Sequence, residues 1–379
     1  MRICLFEWNA GGHHNFYARA FAEALAPRAE VVVAAPEPVL AELGSDLGVT
    51  THSLGEPRPR PGAGEGLDKA TLAKREIELL RESIAASRPD QAIILFADPI
   101  LRWLASAPRF DCRVSAFVMF AKAQLPGSYG LPLSPKERAR AAFKELSLAR
   151  WRRRRDAYAV FGLDQAAVAR WQRRRGAPAR WLAEPRLEVE PPRRRPEERS
   201  GCFLFGSIDR RKGIDRLAAA LAEGCEGLPL TIYGSPVPEY REQLERELAA
   251  LREAGVKVET DLTRVPYAAA MEAMGGARCA LLSFGWKEAP GSRVLIEAAG
   301  ARTPVVIGND NVAGRIVERY GLGLTPDPDD PAAIRDAILE LALDPGAPAR
   351  YEENLRRYAE EVHGDRFVEQ VRAAFELDR

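Results

Sequence analysis

The sequence has little of several things, and each shortage excludes a class. Cysteine is scarce: five in 379 residues, Cys4, Cys112, Cys202, Cys225 and Cys279. They are odd in number and form no CxxC, so neither a disulfide framework nor a zinc site is supported. The expectation is reduced thiols, with Cys4, Cys202 and Cys279 inside apolar, strand-like runs. Histidine is scarcer still, at four, and only His13-His14 are adjacent. No carboxylate stands at metal-ligand spacing beside that pair, so no metal site is expected. No run approaches about 18 uncharged apolar residues, which excludes a membrane-spanning helix. The opening Met1-Arg2-Ile3-Cys4-Leu5-Phe6 reads as a strand rather than a signal peptide. Excess charge is missing too: 55 basic against 54 acidic side chains leaves +1. That balance gives no global pull toward nucleic acid or anionic lipid, so only local patches could supply one. Neither a GxGxxG nor a Walker A sequence occurs, which argues against a dehydrogenase and a P-loop ATPase.

What is present is normal for a globular chain and too apolar for disorder. Apolar residues make up 46% and charged residues 29%, and the length suits two domains. Continuous apolar runs short enough for buried parallel strands occur at Arg2–Glu7, Glu30–Ala35, Ala92–Ala97, Arg113–Phe120 and Ala157–Phe161. Amphipathic helical patterns fall between them, at about Asn15–Leu25, Leu67–Ala86 and from Ser134 to about Arg154. Ser134-Pro135-Lys136-Glu137 is a capping box with Pro at the first helical position. Glu184–Ser200 is rich in Pro and Arg and has no apolar period, so it reads as an interdomain linker. The second half alternates again. Strands are expected at Gly201–Gly206, Leu228–Tyr233, Val256–Glu259, Arg278–Phe284 and Pro304–Ile307, with helices between and after them. The fold class is therefore α/β, with two Rossmann-like, doubly wound domains and a central cleft at the carboxyl ends of the sheets. The expected boundaries are 1–184, linker 185–200, 201–362, and a closing helix in 363–379 that crosses back to the first domain.

Two segments carry chemistry. In Phe205-Gly206-Ser207-Ile208-Asp209-Arg210-Arg211-Lys212-Gly213 a strand ends in Gly, three cations follow, and a helix begins. That pattern suits an anion. In Ser283–Ala298 a strand again enters a glycine-containing loop and a helix. Gly291 and Ser292 permit close approach to a phosphate, and Arg293 could reach it. Glu297 lies on an otherwise apolar helix, so its carboxylate needs a partner: two ribose hydroxyls or a buried Arg. Glu288 and Glu297 do not suit a hydrolase dyad. Nine residues span roughly 13 Å if helical, against about 5–5.5 Å for a retaining glycosidase.

These segments, in this order, resemble the donor domain of family 4 retaining glycosyltransferases of the GT-B fold. Gly206 to Gly213 is similar to the family's Gly-x5-Lys-Gly pattern. Glu288, Glu297-Ala298 and Ala301-Arg302-Thr303-Pro304-Val305-Val306 resemble its Glu…Glu-Ala…Gly-x-Pro-Val-Val pattern. Gly321–Asp330 is also similar, and Gly11-Gly12 resembles the acceptor-domain loop. Three departures accompany the likeness. Ser207 stands where the family has Arg, eight residues rather than seven separate the glutamates, and Val114–Phe120 lacks the family's His.

The resemblance implies a hexosyltransferase that uses a nucleotide-diphosphate sugar, UDP- or GDP-linked, as co-substrate and needs no metal or resident cofactor. By position, Lys212 and Glu288 are implied as catalytic. Donor contacts are implied for Gly206, Ser207, Arg211, Lys212, Gly234, Val265, Gly291, Ser292, Arg293 and Glu297. Acceptor contacts are implied for Gly11, Gly12, His13, His14 and Asp98. The acceptor would be a hydroxyl of a glycan, lipid or small molecule. Two alternatives stay open: a degenerate GT-B protein that binds nucleotide or glycan without turnover, and a sugar-nucleotide epimerase. Arg152–Arg155, Arg173–Arg175 and Arg193–Arg195 read either as solvated faces or as a patch for anionic lipid, with Trp151 and Trp171 as interfacial candidates. A bacterial, cytoplasmic protein, peripheral at the inner face of the membrane, is the corresponding location. Nucleic acid is not expected as a partner.

Overall fold

The computed structural model describes residues 1–11, 13–44, 46–59, 68–119, 134–185, 193–263, 265–284, 293–362 and 365–376. The chain divides into two compact units. The first holds the described residues of Met1–Ser128, Pro132–Arg186 and Gly364–Arg379, and the second those of Leu187–His363.

The first unit is a parallel sheet of seven strands in the order β3-β2-β1-β4-β5-β6-β7. They are β1 (Arg2–Phe6), β2 (Glu30–Ala35), β3 (Thr50–Ser53), β4 (Gln91–Ile94), β5 (Arg113–Val118), β6 (Ala157–Gly162) and β7 (Ala179–Trp181). The crossover helices are α1 (His13–Leu25), α2 (Glu37–Leu43), α3 (Lys69–Ser87), α4 (Leu101–Leu104), α5 (Pro135–Arg152) and α6 (Gln165–Gln172). Sequence chemistry sets their starts. The Asp68 carboxylate accepts from Ala70 N and Thr71 N to open α3, and the Ser134–Glu137 capping box opens α5. The core lies between β1, β2 and β4 and helix α1, through Ile3, Leu5, Phe21, Leu25, Val31 and Ile93.

The second unit is a parallel sheet of six strands in the order β10-β9-β8-β11-β12-β13. These are β8 (Cys202–Phe205), β9 (Pro229–Tyr233), β10 (Lys257–Asp261), β11 (Cys279–Leu281), β12 (Val305–Val306) and β13 (Gly323–Leu324). The helices are α7 (Ile214–Ala220), α8 (Arg241–Glu253), α9 (Tyr267–Gly276), α10 (Arg293–Gly300), α11 (Val312–Tyr320), α12 (Pro331–Leu343) and α13 (Ala347–Val362). The last helix, α14 (Asp365–Ala374), packs into the first unit. Phe367 meets Phe21 edge-on at 5.1 Å, and Arg372 Nε donates to Ala24 O at 2.9 Å.

Each sheet reverses its strand order once. The first reverses between β1 and β4, the second between β8 and β11. In an open α/β sheet, the crevice outside the carboxyl ends of such a pair is where ligands bind. Both candidate segments, and the His13-His14 pair, come directly after strands that flank a reversal.

Several expectations need correction. Trp151 and Trp171 are each 1% exposed and belong to the packed interior, not to an interface with lipid. The Arg152–Arg155 run is not one solvated face. Arg152 is buried and donates to Ala177 O and Trp171 O, tying α5 to α6 and the turn beyond. Arg154 closes on Asp156 and on the carbonyls of Leu104 and Pro108. Arg153, Arg155 and the Arg173–Arg175 and Arg193–Arg195 runs are exposed. Among the described residues no helix is long and apolar enough to cross a membrane. Cys4, Cys202, Cys225 and Cys279 are buried free thiols, and Cys112 is partly exposed.

Candidate functional site

The residues after β8, and helix α10 that follows β11, stand at the carboxyl ends of the two strands that flank the second sheet's reversal, where an open α/β sheet forms its ligand crevice. β8 is apolar and buried, and it stops because Gly206 turns the chain at φ +110°. The β9 end comes very close here. Gly206 N donates to Tyr233 O at 3.1 Å, and a Cβ on Gly234 (φ +143°) would lie 1.9 Å from Gly206 O. Only glycine fits at Gly234. A Cβ on Gly206 would meet Lys212 Nζ at 3.4 Å and Val294 Cγ2 at 3.7 Å, so the turn lies between Lys212 and the start of α10.

Lys212 ends a single 3-10 turn, Arg210–Lys212, capped by Asp209. Its ammonium donates to Phe205 O at 2.6 Å. Burial pushes its pKa down to about 8, against a smaller upward pull from Asp209. Arg211 does not stand over this site as a separate charge, because its guanidinium chelates Asp209 at 2.8 and 3.0 Å through Nε. Ser207 is exposed, and Val265 is partly buried and lies beyond β10.

Glu297 is 3% exposed, on the buried face of α10. Its partner is an arginine one turn earlier: Arg293 Nε to Glu297 Oε1 is 3.1 Å. Burial raises the Glu297 pKa, and Arg293, the Tyr267 hydroxyl and Lys212 offset that rise in part. Lys212 and Glu297 therefore feel each other's charge. The structure thus brings together Gly206, Gly234, Lys212, Arg293 and Glu297. Glu288, Gly291 and Ser292 lie outside the described residues, as does Gly12.

Two residues here carry no mark in the sequence. Tyr267, at the start of α9, is half-buried with its hydroxyl enclosed beside Glu297, and its ring lies under the Arg293 guanidinium, 5.8 Å from ring to charge. Its hydroxyl makes no hydrogen bond of ordinary geometry among the described residues. A Tyr two residues after Val265 gives no local signal. Arg216 on α7 holds the end of the β11 segment, with Nη1 on Phe284 O at 2.5 Å and Nη2 on Asp329 at 2.7 Å.

The first unit's crevice lies beyond β1 and β4. Gly11 sits at φ +86°, and its N–H donates to Asn15 Oδ1 at 2.8 Å, which folds the loop onto α1. His13 and His14 open α1 with ring centroids 4.3 Å apart. Phe96, after β4, meets both rings edge-on. Asp98 Oδ2 accepts from Met119 N at 2.8 Å and braces the end of β5. Gly11 and Asp98 on loops, and His13 and His14 at the start of α1, thus all follow the strands that flank the first sheet's reversal. Glu7, in sequence only a strand end, is buried beside His14. Its signal is a charged residue closing an otherwise apolar strand.

The family model of glycosyl transferases, group 1, matches residues 188–361. No curated protein sequence matches the chain. Among solved structures, WaaG, a glycosyltransferase involved in lipopolysaccharide biosynthesis, superposes with a TM-score of 0.62 at 15% identity, over 99% of each chain. The sucrose-phosphate synthase of Thermosynechococcus elongatus gives 0.66 at 19% identity, over 100% of this chain and 97% of that one. HepE of Anabaena, solved with UDP and glucose, gives 0.63 at 14% identity, over 99% and 98%. At these identities the likeness establishes architecture. The chain has the GT-B fold, and its second unit carries the stretch that matches group 1 glycosyl transferases.

Proposed function

We propose that this protein is a retaining, metal-independent glycosyltransferase. It moves a hexose from a UDP- or GDP-linked sugar to a hydroxyl of a glycan, lipid or small molecule in the bacterial cytoplasm. One observation carries the reading. A half-buried lysine on the Gly206 turn and a buried glutamate on α10 lie within electrostatic reach of each other at the strand-order reversal of the unit that matches group 1 glycosyl transferases.

Breaking the sugar–phosphate bond leaves charge on the departing diphosphate. A cation already fixed beside it stabilises that charge without reorganisation. Lys212 supplies the cation, and the Gly206 turn lets phosphate approach the backbone. Arg293 adds a second donor. Glu297 accepts the ribose hydroxyls, and Glu288 contacts the transferred sugar; these two roles, and the retaining course, rest on the resemblance. The Gly11 loop, with His13, His14 and Asp98, receives the acceptor. Peripheral contact with an anionic membrane has a better surface than the buried tryptophans. Phe143 and Leu146, each 45% exposed, share helix α5 with Lys136, Arg140 and Arg150. Sedimentation with anionic liposomes, lost on charge and side-chain removal at these positions, checks that part.

The first measurement is thermal stability with UDP, GDP and ADP and their glucose and mannose conjugates. A ligand that binds only the folded chain raises the midpoint. One base should stabilise strongly, and its sugar conjugate should turn over. Product NMR then reads the anomeric configuration. Silence with every nucleotide sinks the transferase reading in favour of a scaffold without a diphosphate site.

A further inference from the structure

Glu7 is 1% exposed at the end of an apolar strand, where a lone carboxylate would be costly. It is fully engaged. Oε1 accepts from Asn9 N at 2.7 Å and Asn9 Nδ2 at 2.8 Å, and Oε2 lies 3.0 Å from His14 Nδ1. An ionised carboxylate can only accept, so the proton of a neutral His14 belongs on Nδ1. That leaves the lone pair on Nε2. The ring has little freedom to turn away. His13 packs on it with centroids 4.3 Å apart, and Phe96 meets it edge-on at 4.8 Å. The side chain is 11% exposed, and its hydrogen bond among the described residues is the one to Glu7. Glu7, His14 and Phe96 come after β1 and β4, the pair at which the first sheet reverses.

We propose that Glu7 is a positioning residue which locks His14 as the Nδ1–H tautomer. His14 Nε2 then accepts a hydrogen bond from the attacking hydroxyl of the acceptor. Glu7 thereby selects His14, not His13, for that contact. The tautomer lock rests on the Glu7–His14 contact together with an ionised carboxylate and a neutral imidazole; the identity of the hydroxyl rests on the transferase reading above.

The test exploits the way Glu7 divides its bonds. In Glu7→Gln the amide oxygen stays with the two Asn9 donors. The amide nitrogen then faces His14 Nδ1 and donates to it. His14 must move its proton to Nε2, which turns an acceptor into a donor with no change of shape. Nitrogen-15 correlation spectra of the imidazoles read this directly. The wild type should show His14 protonated at Nδ1, and Glu7→Gln should show it at Nε2. Release of nucleoside diphosphate from UDP-, GDP- and ADP-sugars is measured in parallel, with water as the attacking hydroxyl. It should fall at least about tenfold in Glu7→Gln, while nucleotide affinity stays unchanged.

A wild-type His14 protonated at Nε2 overturns the proposal. So does full turnover in Glu7→Gln after the switch. Should Glu7→Gln fail to fold, His14→Asn and His14→Gln replace it. Asn reaches only the Nδ1 position, whereas Gln reaches that of Nε2, so His14→Gln should keep more turnover. Equal loss in both overturns the idea. A wild type that neither binds nor turns over any of the nucleotides removes the transferase reading, and the acceptor role with it.

Discussion

The two crevices lie at equivalent places in their sheets and are built on opposite electrostatic plans. At β8 and β11 the groups are charged and incompletely answered. Lys212 is a lysine with its pKa pushed down to about 8, and Glu297 is a buried carboxylate with its pKa raised. The Tyr267 hydroxyl is buried without an ordinary hydrogen bond among the described residues. At β1 and β4 both oxygens of Glu7 are satisfied by Asn9 and His14, and the imidazole is clamped between rings. Unmet charge is what an anionic ligand completes. A satisfied carboxylate behind a fixed imidazole suits a neutral hydroxyl, where orientation matters more than charge.

The contrast is broken most severely at Lys212. Lys212→Ala should lower donor turnover roughly 10²–10³-fold, the range for loss of one preorganised charge-stabilising group. The fold should survive, read by an unchanged thermal midpoint without ligand. His14→Asn should leave nucleotide affinity as it was. If Lys212→Ala keeps its turnover, the anion role of this crevice is lost.

Next in size is the backbone beneath Lys212. Gly234→Ala places a methyl 1.9 Å from Gly206 O. The strand ends must separate, so stability should fall by about 2–4 kcal/mol in denaturant titration, with nucleotide affinity falling too. An ordinary midpoint in that variant would mean the close approach is dispensable.

A subtler probe is pH. Lys212 is lowered from an ordinary 10.5 to about 8. A diphosphate held by Lys212 would bind the protonated form, so affinity should be full below about 8. Above it, binding must take up a proton, and affinity falls by up to about tenfold per pH unit. The same depression makes the free protein gain stability between about 8 and 10.5, because there the unfolded chain holds the proton. Lys212→Arg should flatten the affinity profile. Isothermal titration with UDP at a series of pH values decides it.

How much of this could be read from the chain depends on burial. Strands buried on both faces announce themselves as apolar runs, and β1, β2, β5 and β6 lie where such runs fall. The polar edge strand β3, Thr-Thr-His-Ser, and the three-residue β7 have no such run, and nothing in the sequence marks them as strands. The run at Ala92–Ala97 overshoots β4, which ends at Ile94, because Leu95 and Ala97 stay buried in the loop beyond it. Capping chemistry fixes helix starts well, as at Ser134 and Asp330. Charge runs mislead: Arg152 looks like surface in the sequence but spends its donors on buried carbonyls. In the second unit the sequence marks Lys212 by the run of cations after Gly206 and Glu297 by its place on an otherwise apolar helix. Glu7 and Tyr267 stand beside neighbours that the fold brings in, and sequence spacing does not encode those.

Tyr267 supplies the smallest effect and the finest comparison. In the free protein its hydroxyl is buried next to Glu297 and Arg293, outside ordinary hydrogen-bond geometry. Removing a polar group whose hydrogen bonds are poorly aligned costs little and can stabilise, by up to about 1 kcal/mol. Tyr267→Phe should therefore leave the ligand-free midpoint unchanged or slightly raised. With nucleotide bound, a ribose hydroxyl held by Glu297 would give the phenol a well-aligned partner. Affinity for UDP or GDP should then fall about fivefold, equivalent to roughly 1 kcal/mol. Glu7→Gln makes the opposite pattern, an undiminished nucleotide affinity with a changed imidazole. If Tyr267→Phe instead lowers the midpoint and spares nucleotide affinity, the phenol belongs to the core of the second unit. Its crevice would then be as internally satisfied as the first, and the contrast between the two would rest on Lys212 alone.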